Sequence, residues 1–242
     1  MTGGPTLAAV VLAGAGGARL ARTLASVAWA DERAVLDPTG ALAGAELPAG
    51  VARVGGAVPG DAIRAPWVLA LAAGEVVSPA LRDAIAAALA GPAAAYRVAR
   101  EVAGFDTVLR TRGAPIRLAP RAGARLALDR GLELAIGPLA GPVRRLAEPL
   151  LVPVGPTVRE AVAALVADGG ALAAVLRAAA VRPTARRMLA GAAAAALRVL
   201  AARAQARVRW GRWTLAVLAG YRTLYAYGRL WELLDAEAAA RE

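Results

Sequence analysis

Short apolar runs alternate with helix signals over the first 90 residues, and this alternation limits the folds that the chain can adopt. Residues 7–13 predict a buried strand, and a glycine turn separates them from a predicted helix over about 18–27. Residues 67–72 repeat the strand signal, and Ser78 followed by Pro79 then predicts the start of a second helix. Strands that alternate with helices in this way predict an α/β domain with a parallel sheet.

The third predicted helix begins a segment of different character. Thr157 and Glu160 have the spacing of a capping box, which predicts a helix from there to Asp168. The two glycines at 169–170 are expected to end that helix, and further helices are expected beyond it, broken at Pro183 and near Gly211.

The distribution of charge divides the chain in the same place. From 94 to 152 the pattern is one of short β-like runs, and after it come mainly helix signals. Residues 169–231 contain 11 arginines and no acid. We therefore predict an α/β domain over 1–152 and a basic, aromatic-containing helical tail over 153–242.

Composition excludes several classes of site. The chain has 242 residues, which is enough for one large domain, and it contains neither cysteine nor histidine. It can therefore form neither a disulfide framework nor a thiolate metal site. No secretory leader is recognisable, and no run reaches the roughly 18 uninterrupted apolar residues of a spanning helix. A cytoplasmic location is expected, and the mean hydropathy of +0.51 makes contact with a membrane surface worth testing.

Residues 67–79 read Trp-Val-Leu-Ala-Leu-Ala-Ala-Gly-Glu-Val-Val-Ser-Pro. This segment resembles the Trp-Val-Leu-x-Leu-Asp-x-Asp-Glu-x-Val-x-Pro motif of family-2 glycosyltransferases of the lipopolysaccharide-core β-glucosyltransferase type, and further short matches follow in the family's order. The other matches lie at 26–32, 116–118, 149–151, 182–183 and 227–232. The resemblance implies a nucleotide-sugar-transferase-type (GT-A-like) mixed sheet with helices on both faces, followed by a C-terminal helical tail.

The chain departs from this family where the family binds its metal. The resemblance places the Asp-x-Asp pair, which holds a divalent ion and the donor diphosphate, at Ala72 and Gly74. Mg²⁺ and Mn²⁺ need oxygen ligands, and neither of these residues has a side-chain oxygen. We therefore expect no Mg²⁺ or Mn²⁺ cofactor at the usual site.

Some positions of the family's donor and acceptor sites remain. By resemblance, Glu133 is the candidate catalytic base, although the histidine that precedes it in the family is Leu132 here. Residual nucleotide contacts are expected at Asp37, Gly14 and Gly16. Asp37 has an equally simple alternative role, which is to cap the turn that follows its strand.

The glycine loop allows other interpretations. Gly14 and Gly16 fit the start of a dinucleotide-binding fingerprint, but Arg19 stands at the third glycine position. The loop also resembles that of sugar nucleotidyltransferases, which rely on a lysine that this chain lacks. Neither alternative accounts for the later matches. Glu75 is expected at the surface, as most acids are.

Two functions follow from the resemblance. The first is a protein that has lost the metal and nucleotide-sugar site and acts as a pseudoenzyme, binding or scaffolding an active glycosyltransferase in envelope glycan or glycolipid assembly. The second is an active, metal-independent transferase that moves a sugar from a nucleotide-sugar to a lipid-linked or polysaccharide acceptor, with an arginine in place of the metal and Glu133 as base.

The C-terminal tail predicts contact with an anionic membrane surface. On a helix drawn through 212–234, one stripe contains Trp213, Val217, Tyr221, Leu224 and Trp231. Tryptophan and tyrosine at headgroup depth, with arginines toward anionic lipid, are typical of an interfacial helix. The predicted contacts are Trp210, Trp213, Tyr221, Trp231, Arg222 and Arg229. Alternatively, the stripe packs on the α/β domain. No nucleic-acid recognition motif is present, so nucleic acid is not expected as a partner.

Overall fold

The computed structural model describes residues 6–14, 17–55, 63–91, 95–111, 114–122, 124–128, 134–137, 141–155, 157–206 and 209–240. Its strands are β1 (Leu7–Leu12), β2 (Glu32–Leu36), β3 (Val51–Val54), β4 (Trp67–Ala72), β5 (Ala95–Arg97), β6 (Arg100–Gly104), β7 (Thr107–Arg110), β8 (Ile116–Pro120), β9 (Leu126–Leu128), β10 (Leu134–Ile136), β11 (Val143–Arg145), β12 (Leu150–Pro153) and β13 (Arg203–Ala206). Its helices are α1 (Ala18–Ser26), α2 (Pro79–Leu89), α3 (Val158–Ala178), α4 (Ala185–Ala201) and α5 (Arg209–Ala239).

The main sheet has seven strands in the order β11-β5-β8-β4-β1-β2-β3. β1 pairs in parallel with both β2 and β4, so Val10 lies between Ala34 and Ala70. Only β8 runs antiparallel to its neighbours. The sheet is thus mixed and mostly parallel, which confirms the α/β class. The predicted strands at 7–13 and 67–72 are also confirmed.

Helices cover both faces of this sheet, as the resemblance implied. Side chains alternate along β1, so that Leu7 and Val11 join one buried cluster and Val10 joins another. α1 and α2 complete the first cluster, through residues such as Leu24 and Ile85. α3 and α5 complete the second cluster. The C-terminal helices therefore share the core of the sheet.

Two helix starts were predicted correctly from their capping residues. The Ser78 hydroxyl accepts a hydrogen bond from the Leu81 amide at 3.1 Å, with Pro79 in the first turn of α2. The Thr157 hydroxyl accepts from the Glu160 amide at 3.2 Å at the start of α3. Both caps satisfy amide donors that the helices cannot satisfy themselves.

The predicted end of α3 at residues 169–170 was wrong. The helix continues through both glycines to Ala178, because the segment after them, residues 171–176, is buried against the sheet. A Cβ atom at Gly169 would collide with the ring of Tyr225. This glycine therefore allows α3 and α5 to approach closely, and the gain from burial outweighs its poor helix propensity.

A second sheet joins the C-terminal segment to the middle of the chain. It has four strands in the order β12-β6-β7-β13, and β13 pairs antiparallel with β7. No strand was predicted at β13. Gly211, in the first turn of α5, lies so close to the β6–β7 turn that a Cβ atom would collide with the Phe105 carbonyl. The domain boundary near residue 153 stays a prediction.

α4 and α5 form an antiparallel hairpin held by small residues. A Cβ atom at Gly191 would lie 3.2 Å from Thr223 Cγ2, and one at Gly220 would lie 3.4 Å from the Ala192 carbonyl oxygen. Because neither glycine has a side chain, the backbones of α4 and α5 can approach each other closely.

Among the described helices, α3 alone is long and apolar enough to cross a membrane, with a mean hydropathy of 1.6 over its best 18-residue window. Of that window, 44% is buried inside the protein. The core helix of a folded domain passes the same test of length and composition, and the buried segment 171–176 gives α3 that role in this fold.

Candidate functional site

Arg19 lies at the carboxyl ends of the central parallel strands, where ligands of open α/β sheets bind. It belongs to the first turn of α1, and its guanidinium joins three parts of the chain. Nη2 donates to the Ala73 carbonyl at 2.8 Å, just after β4. Nη1 donates to both carboxylate oxygens of Asp168 on α3, at 3.0 and 2.9 Å, and to the Ala164 carbonyl at 3.3 Å.

This guanidinium fills the space in which a side chain at position 74 would stand. Gly74 has φ +97°, and a Cβ atom added to it would lie 2.7 Å from Nη2 of Arg19. The positive charge of Arg19 therefore lies at the end of β4 where the sequence has Ala72 and Gly74 in place of two carboxylates. In the part of the chain that the structure describes, no cluster of three or more acids could hold a metal ion.

Asp168 is the anionic partner of this arginine. Burial raises the pKa of its carboxyl group above the ordinary value, and the nearby charge of Glu75 adds to that rise. Arg19 and Arg222 act in the opposite direction, because their positive charges stabilise the carboxylate. Asp168 thus connects α3 electrostatically to α1 and α5.

Glu75 is buried at the same strand end, so its predicted place at the surface was wrong. Its side chain is 2% exposed and forms ion pairs with Arg117 Nη2 at 2.8 Å and Arg100 Nε at 2.9 Å. The other carboxylate oxygen accepts from the Ala72 amide at 2.9 Å. An acid can be buried here because two arginines and an amide replace its hydration.

Asp37 caps the turn after β2, which was one of its two predicted roles. Its carboxylate is 3% exposed and accepts from the amides of Ala41 and Leu42 at 3.0 and 2.8 Å. The Thr39 hydroxyl is also within 3.3 Å. Both oxygens are engaged by the turn, and a nucleotide contact at Asp37 stays a prediction.

α3 covers the ends of β1 and β2. Gly14 is buried beneath it, and a Cβ atom there would lie 2.6 Å from the Asp168 Cα. Further along α3, a Cβ atom at Gly170 would lie 3.7 Å from Thr39 Cγ2. The predicted nucleotide contact at Gly14 is untested, and it would require α3 to move. Gly16 and the candidate base Glu133 lie outside the described residues.

A cavity of about 720 Å³ opens beside Arg19. It is bounded by α1 and the end of β4, by β6, β7 and β12 of the second sheet, and by α3, α4 and α5. Its charged lining residues are Arg19, Arg22, Glu75, Arg100, Glu160, Asp168, Arg198 and Arg222. The rest of the lining is mainly alanine, valine and leucine.

The predicted membrane contacts divide between two sides of α5. Trp210, Trp213 and Trp231 are 77, 55 and 63% exposed, and Tyr221 is 39% exposed, so this stripe does not pack on the α/β domain. Arg229 is exposed and forms an ion pair with Glu232. Arg222 lines the cavity, and its contact with a membrane stays a prediction.

Compared with models of known protein families and with curated proteins, the chain matches none of them. Sequence reasoning missed Arg19 and Asp168 as site residues because they are 149 positions apart. One signal was available for Asp168, which is the lone acid in the otherwise apolar stretch 161–176.

Proposed function

We propose that this chain is a divergent family-2 glycosyltransferase-like protein that no longer binds a metal-bound nucleotide-sugar and acts as a binding or scaffolding protein. The observation that carries the proposal is the position of Arg19. Its guanidinium stands beside Gly74, where the resemblance places a metal-binding carboxylate in the family. A cation fixed at this point repels a divalent ion.

The closed ends of β1 and β2 support the same proposal. α3 packs on Gly14, and both Asp37 oxygens are engaged by their own turn. By resemblance, these two residues would meet the donor nucleotide. A donor could reach them only if α3 separated from the sheet, which would break the bonds between Arg19 and Asp168.

The exposed aromatic stripe on α5 supports a place at a membrane surface. Trp213, Tyr221 and Trp231 are exposed on a chain of net charge +11. Such a surface suits an anionic lipid headgroup layer, so we place the protein at the cytoplasmic face of the membrane. There it would meet an active transferase of envelope glycan or glycolipid assembly.

A metal-independent transferase is the second candidate, and Arg19 is again the observation that favours it. A fixed guanidinium at the end of β4 can stabilise a departing diphosphate as a metal ion does. In that case Arg19 would exchange Asp168 for the donor phosphates, and Glu133 would serve as base.

Calorimetric titration with UDP- and GDP-sugars, with and without Mn²⁺, tests the proposal. We expect no binding that depends on Mn²⁺, because the described strand ends hold no group of acids for it. Metal-dependent donor binding would contradict the proposal. Metal-independent binding that Arg19→Gln abolishes, together with transfer or hydrolysis of the sugar, would establish the second candidate. Arg82→Gln is the control, because Arg82 is exposed and pairs only at the surface with Asp83.

A further inference from the structure

The cavity beside Arg19 has a charged wall at the strand ends. Arg19 and Arg22 come from α1, Arg100 from β6 and Arg222 from α5. Two of the cavity's carboxylates already have arginine partners, since Asp168 is bound by Arg19 and Glu75 by Arg100 and by Arg117 behind it. The whole lining has five arginines, including Arg198, and three carboxylates, including Glu160, so its net charge is positive.

Away from the strand ends, much of the lining is apolar. It includes Val102 and Leu109 of the second sheet, Val199 of α4, and Leu215 and Leu218 of α5. Leu109 and Leu215 are almost fully buried, at 2 and 6% exposure. The volume of about 720 Å³ is within the range of small-molecule sites, roughly 300 to 1,000 Å³.

We propose that this cavity binds an amphiphile made of one phosphate-class head group and a hydrocarbon chain. The head group lies at the strand ends, where the planar guanidinium groups of Arg19 and Arg222 suit a phosphate. The chain lies along the wall formed by β6, β7 and the α4–α5 hairpin, and no metal ion takes part. This inference stands on the cavity alone and does not require a glycosyltransferase ancestry.

The two parts of the lining exclude simpler ligands. A free anion such as inorganic phosphate would leave the apolar part of the lining in contact with water. Its binding would therefore gain no free energy from the burial of apolar surface. An uncharged lipid would not complement the net positive charge of the lining. A ligand with a head group and a chain gains from both parts of the lining, so its affinity should rise with the length of its chain.

Titration of the full chain with monoalkyl phosphates, below the concentration at which they form micelles, tests this inference without any variant. We expect dodecyl phosphate to bind more tightly than octyl phosphate, by about fourfold for each additional methylene buried. Inorganic phosphate should bind far more weakly than either. Equal affinity for inorganic and dodecyl phosphate would overturn the inference and indicate a site for free phosphate.

Variants on α5 locate the ligand. Arg222→Gln should lower the affinity for dodecyl phosphate about tenfold or more, because a charge-assisted hydrogen bond is lost. Arg229→Gln is the matched control on the same helix, outside the cavity, and should leave the affinity unchanged. Ala219→Leu adds bulk to the cavity lining and should also weaken binding.

A Trp213→Ser variant separates the cavity from the outer face of α5, since Trp213 is exposed and is not a lining residue. We expect it to bind dodecyl phosphate as the wild type does. Loss of binding in Trp213→Ser, with retention in Arg222→Gln, would overturn the inference.

Thermal unfolding checks that each variant is folded. If Arg222→Gln does not fold, the inference is tested by Ala219→Leu and by the dependence of affinity on chain length. These titrations contain no nucleotide or metal, so their failure would leave the proposed function unchanged.

Discussion

At the scale of single residues, the end of β4 is unusual because charged side chains are buried there. Glu75 is 2% exposed and Arg117 is fully buried, yet both are ionisable. Neither could be placed from the sequence, because the partners lie 42 positions apart and no local pattern links them. The capping roles of Ser78 and Thr157 were predictable, since each side chain bonds an amide only three residues away.

Replacing Glu75 tests whether this charged cluster stabilises the fold. Glu75→Gln should lower the free energy of unfolding by about 3–5 kcal/mol, because two arginines would remain in a buried place without their carboxylate. Urea denaturation measures the change. Asp83→Asn is the control, since its pair with Arg82 is exposed and should matter by less than about 0.5 kcal/mol. Equal effects of the two substitutions would show that the buried pairs add no stability.

Helices and strands were predictable where the sequence pattern lies within one short segment. They were less predictable where they depend on contact between two segments distant in sequence. β1, β4 and α2 appear from hydrophobic runs and caps within a few residues. The continuation of α3 through Gly169 depends on Tyr225 of another helix, and β13 depends on its pairing with β7. In both cases a tertiary contact overrides a local propensity, so neither the length of α3 nor the strand β13 could be predicted from a short segment of sequence.

The two glycines inside α3 should therefore respond in opposite directions to the same substitution. Gly169→Ala should destabilise the protein by about 1–3 kcal/mol, because the new methyl group collides with the Tyr225 ring. Gly170→Ala should stabilise it by up to about 1 kcal/mol, since its Cβ would make an ordinary contact of 3.7 Å and alanine favours helix. Chemical denaturation of both variants measures this. A stabilised Gly169→Ala would contradict the close packing of α3 on α5.

Charge and exposed aromatic area act together at the scale of the whole molecule. The net charge is +11, and the large exposed aromatic side chains concentrate on α5. The sequence predicted this stripe correctly because its spacing follows one helix. It could not predict that Arg222 lies on the inner side, since that depends on where α3 places Asp168.

Flotation with vesicles of phosphatidylcholine and phosphatidylglycerol tests the membrane contact. The double variant Trp213→Ser, Trp231→Ser should lower the partition coefficient about tenfold or more, because two large apolar side chains leave the lipid. Added salt should also weaken wild-type binding. The control is Val158→Ser with Val166→Ser, which removes exposed apolar side chains from α3 instead. Equal flotation of the wild type and the tryptophan variant would show that the stripe does not contribute to membrane binding.

The pairing of β13 with β7 has a consequence for the order of folding during synthesis. Residues 203–206 complete a sheet whose other strands end by residue 153, so about 50 residues separate the last strand from the rest. Contacts so distant in sequence slow folding, because a long loop must close first. We expect the second sheet to close only after most of the chain has left the ribosome. Until then the edge of β7 lacks its partner strand, and the nascent chain is exposed to edge-to-edge association.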